Sequence, residues 1–485
     1  MRKTKKNSIA KNILHLFYST ALSSGLNAAA LIILAYYLQS YYYGMFSVVL
    51  AFAMIMGYFT DAGLSDIVIR EGSKKEVDIS ILISSYVKMR MGLLIVSFLC
   101  GLFIFHISNA GHSELIQTGY FLIIPMVTGI ALQSIGTTFF QLIEKMQYYG
   151  LIRIISSVCL LLTLSVGMLF HFSPLFICSL YGMSYLTAGM FGVYLVSKNV
   201  RIRIKSPFHK GLLQNLGAFT IGGLLFVMMP QLGPLVLEKT ISLKEVGLFA
   251  VAYRIPQALQ QIPFIVAGAY YPVMFRAFNN KQLDDHLRHN INLLKTISLV
   301  GMAMTIPFYY MSNIVIELLF GHKWIEAAFP LKVLSLMLTL QAINIALADG
   351  LTTRALQTYR TAVQLFSVII GIFIYMLFSK SFGVTGAAVA GLTIECIALI
   401  GYWLCIPNRW IIAKRVVIPY ITYFMGCLVS IDFFLDSLPI LAVVINFILL
   451  ALIVIVDKEN MEKIKGYIKT LGISQRLKSK KSEGV

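Results

Sequence analysis

The sequence predicts an all-α polytopic membrane protein of about 14 transmembrane helices, built as two pseudo-symmetric six-helix bundles plus two C-terminal helices. Three observations predict it. Of the 485 residues, 58% are hydrophobic and only 13% charged, with a mean hydropathy of +0.80, whereas soluble domains carry roughly a quarter charged residues. Apolar runs of about 20 residues, the length that crosses a hydrocarbon core as a helix, recur along the whole chain. Lys and Arg concentrate in alternate connections between those runs.

The first run, Ile13 to Tyr37, follows a basic start, MRKTKKNSIAKN. It exceeds the apolar core of about 7–15 residues in a secretory signal, so it reads as a first span. Thr20, Ser23, Ser24 and Asn27 share one of its faces, where small polar groups favour close helix packing. Five more runs complete an N-terminal bundle within 1–200: Gly44 to Val68, Met89 to Ile107, Gln117 to Gln141, Ile154 to Phe172 and Leu175 to Ser197. The basic break KNVRIRIKSPFHK leads into a C-terminal six-helix bundle, 201–410. Its runs are Leu212 to Leu237, Gly247 to Tyr271, Leu293 to Ile316, Phe329 to Gly350, Ala362 to Ser379 and Val384 to Ile406. Residues 411–456 hold two additional transmembrane helices, Val416 to Phe434 and Pro439 to Val456. Residues 457–485 read as a basic amphipathic cytoplasmic tail, with Met461, Ile464, Ile468 and Leu471 on one helical face among lysines.

Charge placement orients the chain. With the N-terminus inside, 34 of the 40 Lys and Arg fall in inner segments and five in outer loops (Lys239, Lys244, Lys323, Lys332, Lys380); Arg254 is the remaining one. One helix more or fewer would scramble this segregation, so both termini are expected in the cytoplasm. The net charge of +19 is then charge facing anionic lipid and calls for no nucleic acid.

An internal repeat supports the two bundles. Shifted by about two hundred residues, YYYGMFSVVLAFA around Gly44 lies over KEVGLFAVAYRIP around Gly247, and the first six spans fall near the second six. Halves of six spans share one orientation and place a substrate between them.

The eighth run carries the candidate site. GLFAVAYRIPQALQQIPFIVAGAYYPVMF is long enough to span, yet it contains Arg254, three glutamines and three prolines. A charge in a spanning helix costs at least about 2.5 kcal/mol and faces a hydrated cavity or a partner unless it snorkels to the interface. Arg254 lies roughly 10 Å below the outer surface at 1.5 Å per residue. Tyr253, Arg254, Gln257 and Gln261 recur at helical spacing as one polar stripe, read as substrate-binding. Pro256, Pro263 and Pro272 each remove a backbone donor, so the helix is expected to bend.

Other polar groups in the spans are secondary candidates. Asp61, Asp66 and Arg70 crowd the inner end of the second span; Gln341, Asn344 and Asp349 line the tenth, with Arg354 just below. Arg70, Asn344 and Arg354 would serve an anion-receiving vestibule, or else anchor helix ends. Glu395 lies roughly 16 Å deep, near the midplane, where a carboxylate is protonated, paired or cation-bound. Glu395, Asp61 and Asp349 are therefore ion-coupling candidates.

Enzyme chemistry finds no constellation. There is no HExxH, GxSxG or Walker loop, no carboxylate cluster and no metal-like spacing among the eight His and six Cys. The expectation is no catalytic residue, no metal and no cofactor.

DAGLSDIVIR after the second span, VGLFAVAYRIPQALQQIP running to YYPVMFRA in the eighth, and FGVTGAAVAGLTIE opening the twelfth resemble the polysaccharide-biosynthesis flippases of the Wzx type, serving O-antigen and capsule. These belong to the multidrug/oligosaccharidyl-lipid/polysaccharide exporter superfamily. The resemblance covers the whole membrane part. It implies translocation of undecaprenyl-diphosphate-linked oligosaccharide from the cytoplasmic to the outer leaflet of the bacterial inner membrane, by alternating access and without enzymatic chemistry. The partners it implies are that lipid-linked glycan, membrane lipids, and a polysaccharide polymerase and chain-length regulator. Cationic residues facing the cavity would receive the diphosphate or acidic sugars; Arg254 matches the family's pattern residue by residue, Arg70 and Arg354 by location. One alternative is a cation-coupled multidrug exporter of the same fold, although such exporters usually have twelve spans. Another is a membrane-embedded glycan polymerase or acyltransferase, which would predict a large outer loop or an intramembrane His with partners.

Overall fold

The computed structural model describes residues 2–74, 77–203, 205–213, 216–435 and 437–457. Among the described residues all regular structure is helical, the form in which a segment satisfies its own backbone in lipid. The helices are α1 (Arg2–Phe59), α2 (Leu64–Gly72), α3 (Ile79–Ser108), α4 (Ser113–Leu142), α5 (Met146–Leu169), α6 (Pro174–Asn199), α7 (Leu216–Met228), α8 (Leu232–Leu237) and α9 (Leu243–Leu259). There follow α10 (Gln261–Asn279), α11 (Leu283–Tyr310), α12 (Ser312–Phe320), α13 (Ala328–Thr352), α14 (Gln357–Cys405), α15 (Arg409–Ile412), α16 (Ile418–Leu435) and α17 (Pro439–Val456). Of the predicted amphipathic tail, all beyond Asp457 lies outside the described residues.

Among the described residues every predicted span falls on helical segments, and ten stretches are long and apolar enough to cross a membrane. The chain is a multi-pass membrane protein. Two of those stretches hold two predicted spans each: α1 breaks at Gln39 (φ 60, ψ 176) and α14 at Gly383 (φ 56, ψ −135). The seventh and eighth predicted spans are interrupted. A 3-10 turn, Met229–Gln231, separates α7 from α8, and the eighth divides into α9 and α10 around Gln260. Pro263 has no N–H for the carbonyl of Leu259, so the predicted bend becomes a helix boundary. The second predicted span also ends early, in a turn where Ala62 (φ 48) and Gly63 (φ 81) adopt left-handed backbone.

The chain divides into two compact units. The first comprises Met1–Ala258, Asn313–Leu334 and Arg360–Ala398. Within it α4 and α6 approach backbone to backbone: a Cβ on Gly129 would lie 2.3 Å from the carbonyl carbon of Tyr185, and one on Gly189 would lie 2.7 Å from the Gly129 oxygen. Lipid is as apolar as a leucine, so close packing of small residues replaces the hydrophobic effect as the force joining these helices. On α3, Ile95, Leu99 and Phe103 recur every four residues and are more than half exposed, as a lipid-facing stripe requires. The small-residue face of the first span packs on α5, where Ser157 Oγ donates to the Ser23 carbonyl (3.1 Å). The connection after α6 is pinned along α3. Ser80 Oγ donates to the Arg201 carbonyl (2.8 Å), the Arg203 amide to Ser84 Oγ (2.9 Å), Lys88 Nζ to the Ser206 carbonyl (2.6 Å) and the His209 amide to Ser85 Oγ (3.0 Å).

The second unit comprises Leu259–Ser312, Ser335–Tyr359 and the described residues from Leu399 onward. Here α11 is lashed to the two trailing helices. Tyr310 OH donates to the Leu428 carbonyl (3.0 Å) and accepts from Asn446 Nδ2 (2.8 Å), while Tyr309 OH donates to Asp432 (3.2 Å). Asp457, just past α17, pairs with Lys295 (2.7 Å) and accepts from Tyr420 OH (2.9 Å).

Candidate functional site around Arg254

Arg254 lies on α9 in the first unit, and its Nη1 donates to Gln257 Oε1 at 2.9 Å, one turn along the predicted stripe. Its Nε is buried with no hydrogen-bond partner, and among the described residues Arg254 has no ion pair. Three phenols from other helices come within electrostatic reach of the guanidinium: Tyr43 from α1, and Tyr181 and Tyr185 from α6. Tyr43 is fully buried, edge-on to Trp324 with ring centroids 5.7 Å apart, and its hydroxyl lies against the Arg254 guanidinium without a well-aligned hydrogen bond. The guanidinium and the phenol meet each other here, and neither the Arg254 Nε–H nor the Tyr43 O–H has a well-aligned acceptor, so both can donate to an incoming one.

Tyr253 stacks on Phe249 (centroids 5.6 Å, planes at 11°), and Tyr375 of α14 meets the same Phe249 edge-on at 6.1 Å. Glu395 interacts electrostatically with Tyr253 and Tyr375, and Tyr253 with Arg254 as well. The ion-coupling candidate on α14 and the anion candidate on α9 therefore share Tyr253 as a neighbour.

The remaining candidates have other surroundings. Asp61, in the turn after α1, is the counter-ion of Arg90 and accepts from Ser65 Oγ at 2.7 Å. Arg70 pairs with Glu71 (3.2 Å), which also holds Lys74 (2.5 Å). Gln261, Asn344, Asp349 and Arg354 belong to the second unit. Gln261 is exposed at the start of α10, Asn344 is buried in α13 and Asp349 half-buried a turn later. Arg354 Nε donates to His286 Nδ1 (3.1 Å), which leaves the imidazole's Nε2 to donate to Thr353 Oγ1 (2.8 Å).

Two features escape sequence reasoning. Tyr43, Tyr181 and Tyr185 come from spans far from Arg254 in the chain; the spacing of Tyr181 and Tyr185, one turn apart on the sixth span, is the one sequence signal that could have found any of them. Arg90, 1% exposed, donates to the Ala131 carbonyl (2.8 Å), Tyr86 OH (3.1 Å) and Thr60 Oγ1 (3.4 Å) besides Asp61.

The family model described as polysaccharide biosynthesis protein matches residues 9–278. The chain belongs to the polysaccharide biosynthesis protein family. In this family member the matched stretch contains Arg254, Tyr43, Tyr181, Tyr185, Tyr253 and Gln257, while Trp324, Tyr375 and Glu395 lie beyond it. No curated protein matches it in sequence. In structure it resembles lipid II flippase MurJ in an inward closed conformation, with a TM-score of 0.65, 14% identity, and coverage of 90% of this chain and 98% of that one. It also resembles an inward-facing multidrug resistance MATE family transporter of the MOP superfamily (TM-score 0.68, 13% identity, 83% and 98% coverage). A third resemblance is to a MOP superfamily transporter from Pyrococcus furiosus (TM-score 0.59, 13% identity, 84% and 96% coverage). This polysaccharide biosynthesis protein has the MurJ and MATE fold, on the whole length of those chains.

Proposed function

We propose that this chain is a Wzx-type flippase, a transporter that carries undecaprenyl-diphosphate-linked oligosaccharide repeat units from the cytoplasmic to the outer leaflet of the bacterial inner membrane. The observation that carries the reading is the Arg254 guanidinium with no acidic partner among the described residues, its buried Nε and the buried Tyr43 hydroxyl beside it both lacking a well-aligned acceptor. A cation built purely to support the fold would be given a counter-ion or a full set of acceptors, as Arg90 is. Arg254 instead keeps donors free for an oxyanion, the group a diphosphate or acidic sugar presents. Such head groups do not cross hydrocarbon unaided; a polar cavity replaces their hydration while the prenyl tail stays in lipid. Two six-helix bundles, 1–200 and 201–410, rocking about that cavity complete the proposal, with the helices of 411–456 as an addition to them. The polymerase and chain-length regulator of the same surface polysaccharide are its expected partners.

Translocation of a defined undecaprenyl-diphosphate-linked glycan in reconstituted vesicles tests this, beside drug efflux as a control. Arg254→Ala should cut translocation by about tenfold or more, the scale of losing a hydrogen bond to a charged group. Arg254→Lys should restore only part of it, because an ammonium lacks the planar fork. Drug efflux without glycan translocation would replace the flippase by the multidrug exporter of the same fold.

A further inference from the structure

Gly44 of α1 and Gly247 of α9 touch reciprocally. A Cβ on Gly44 would lie 1.9 Å from the Leu243 carbonyl oxygen and 2.9 Å from the Gly247 nitrogen; one on Gly247 would lie 2.0 Å from the Ser40 oxygen and 3.1 Å from the Gly44 nitrogen. Leu243 stands four residues before Gly247, as Ser40 does before Gly44, so the contact maps onto itself when the two glycines are exchanged. They are also the residues that superpose in the internal repeat. A local two-fold axis passes between them, and no side chain separates the two backbones. Contacts of the Cα–H···O kind hold such a crossing, each weak and readily broken.

The crossing anchors both donors of the candidate site. Tyr43 immediately precedes Gly44, and Arg254 follows Gly247 by seven residues, two turns along the same face of α9. Their mutual distance is therefore set by how closely the helices meet here. We propose that Gly44 and Gly247 are positioning residues: their backbone contact brings the Tyr43 hydroxyl to the Arg254 guanidinium, and parting the helices at this point dismantles the anion receptor. Closing this end of the pathway and assembling the receptor are then one event, and opening it releases the anion without any separate trigger. The role assigned to the anion rests on the flippase reading; the positioning itself does not.

The test uses full-length protein in nanodiscs with 3-fluorotyrosine at position 43. In the parent, Arg254→Gln should move the fluorine resonance. On a Gly247→Ala or Gly44→Ala background, where a carbon must displace a carbonyl, the resonance should sit at a new position and Arg254→Gln should no longer move it. Affinity for undecaprenyl diphosphate should fall by about fivefold or more in the alanine variants. Tyr43→Phe, which leaves the backbone contact intact, should lower that affinity by a similar factor with an unchanged unfolding temperature. Gly92→Ala on α3, with open space where its Cβ would go, should change nothing. Persistence of the Arg254→Gln response in both alanine variants overturns the proposal, as does parent affinity in Tyr43→Phe. If the parent binds no undecaprenyl diphosphate, the flippase reading fails and the fluorine response alone decides the positioning.

Discussion

Arg90 closes on Asp61 inside the first unit, a full ion pair from α3 to the turn after α1, with Ala131, Tyr86 and Thr60 taking further donors of the guanidinium. Asp61 is a poor receiver for a transported cation while this tethered one occupies it. Removing Arg90 strands a carboxylate in the bundle, and breaking such a pair costs about 3–5 kcal/mol. Arg90→Met should therefore lower the unfolding temperature markedly in a thermal scan of purified protein. The double variant Arg90→Met with Asp61→Asn should regain most of the loss. Equal stability of single and double variants would show that the pair holds nothing together.

Glu395 neighbours Tyr253 and Tyr375 and carries a different expectation. Glu395→Gln keeps the volume and removes the titratable proton, so membrane insertion and folding should be retained. The pH or cation dependence of transport should flatten, read from initial rates across imposed gradients. Full activity with an unaltered dependence would leave Glu395 as a packing residue.

The charge segregation sets the orientation to be checked. Asn109, Ser242 and Ser437 all lie at helix ends or turns, as do Asn199 and Asn408. Reporter fusions should read outside at the first three and inside at the last two. One reversed reading among them breaks the count of spans.

What was legible follows from the solvent. Lipid leaves a segment no choice but to satisfy its own backbone, so apolar length alone marked the long helices. The breaks were harder to read, because Gln39 and the Ala62 turn are local backbone choices that no apolar count detects. Arg254 was visible because a charge in that setting is costly, whereas Tyr43, Tyr181 and Tyr185 are three among 25 tyrosines until the fold gathers them. Arg90 escaped notice because the third predicted span starts at Met89, which puts it at the very edge of the apolar run. The helix begins at Ile79, about three turns earlier, and that offset carries Arg90 into the interior. Similarly, the repeat marked Gly44 and Gly247 as equivalent positions; that equivalents also touch is a property of a symmetry axis, which no pairwise overlay of sequence contains.

Residues 201–213 look like the place to cut this protein in two. They are basic, lie between the two apolar repeats and, among the described residues, hold a single 3-10 turn, Lys210–Leu213. Yet hydrogen bonds fasten the segment to Ser80, Ser84, Ser85 and Lys88, so it belongs mechanically to the first repeat. A gene divided after Asn199 would strip α3 of its strap and hand the second fragment a loose basic end. Divided after Leu213, the same gene would yield a first fragment with its fastening complete, and co-expressed halves should complement one another only across that later junction.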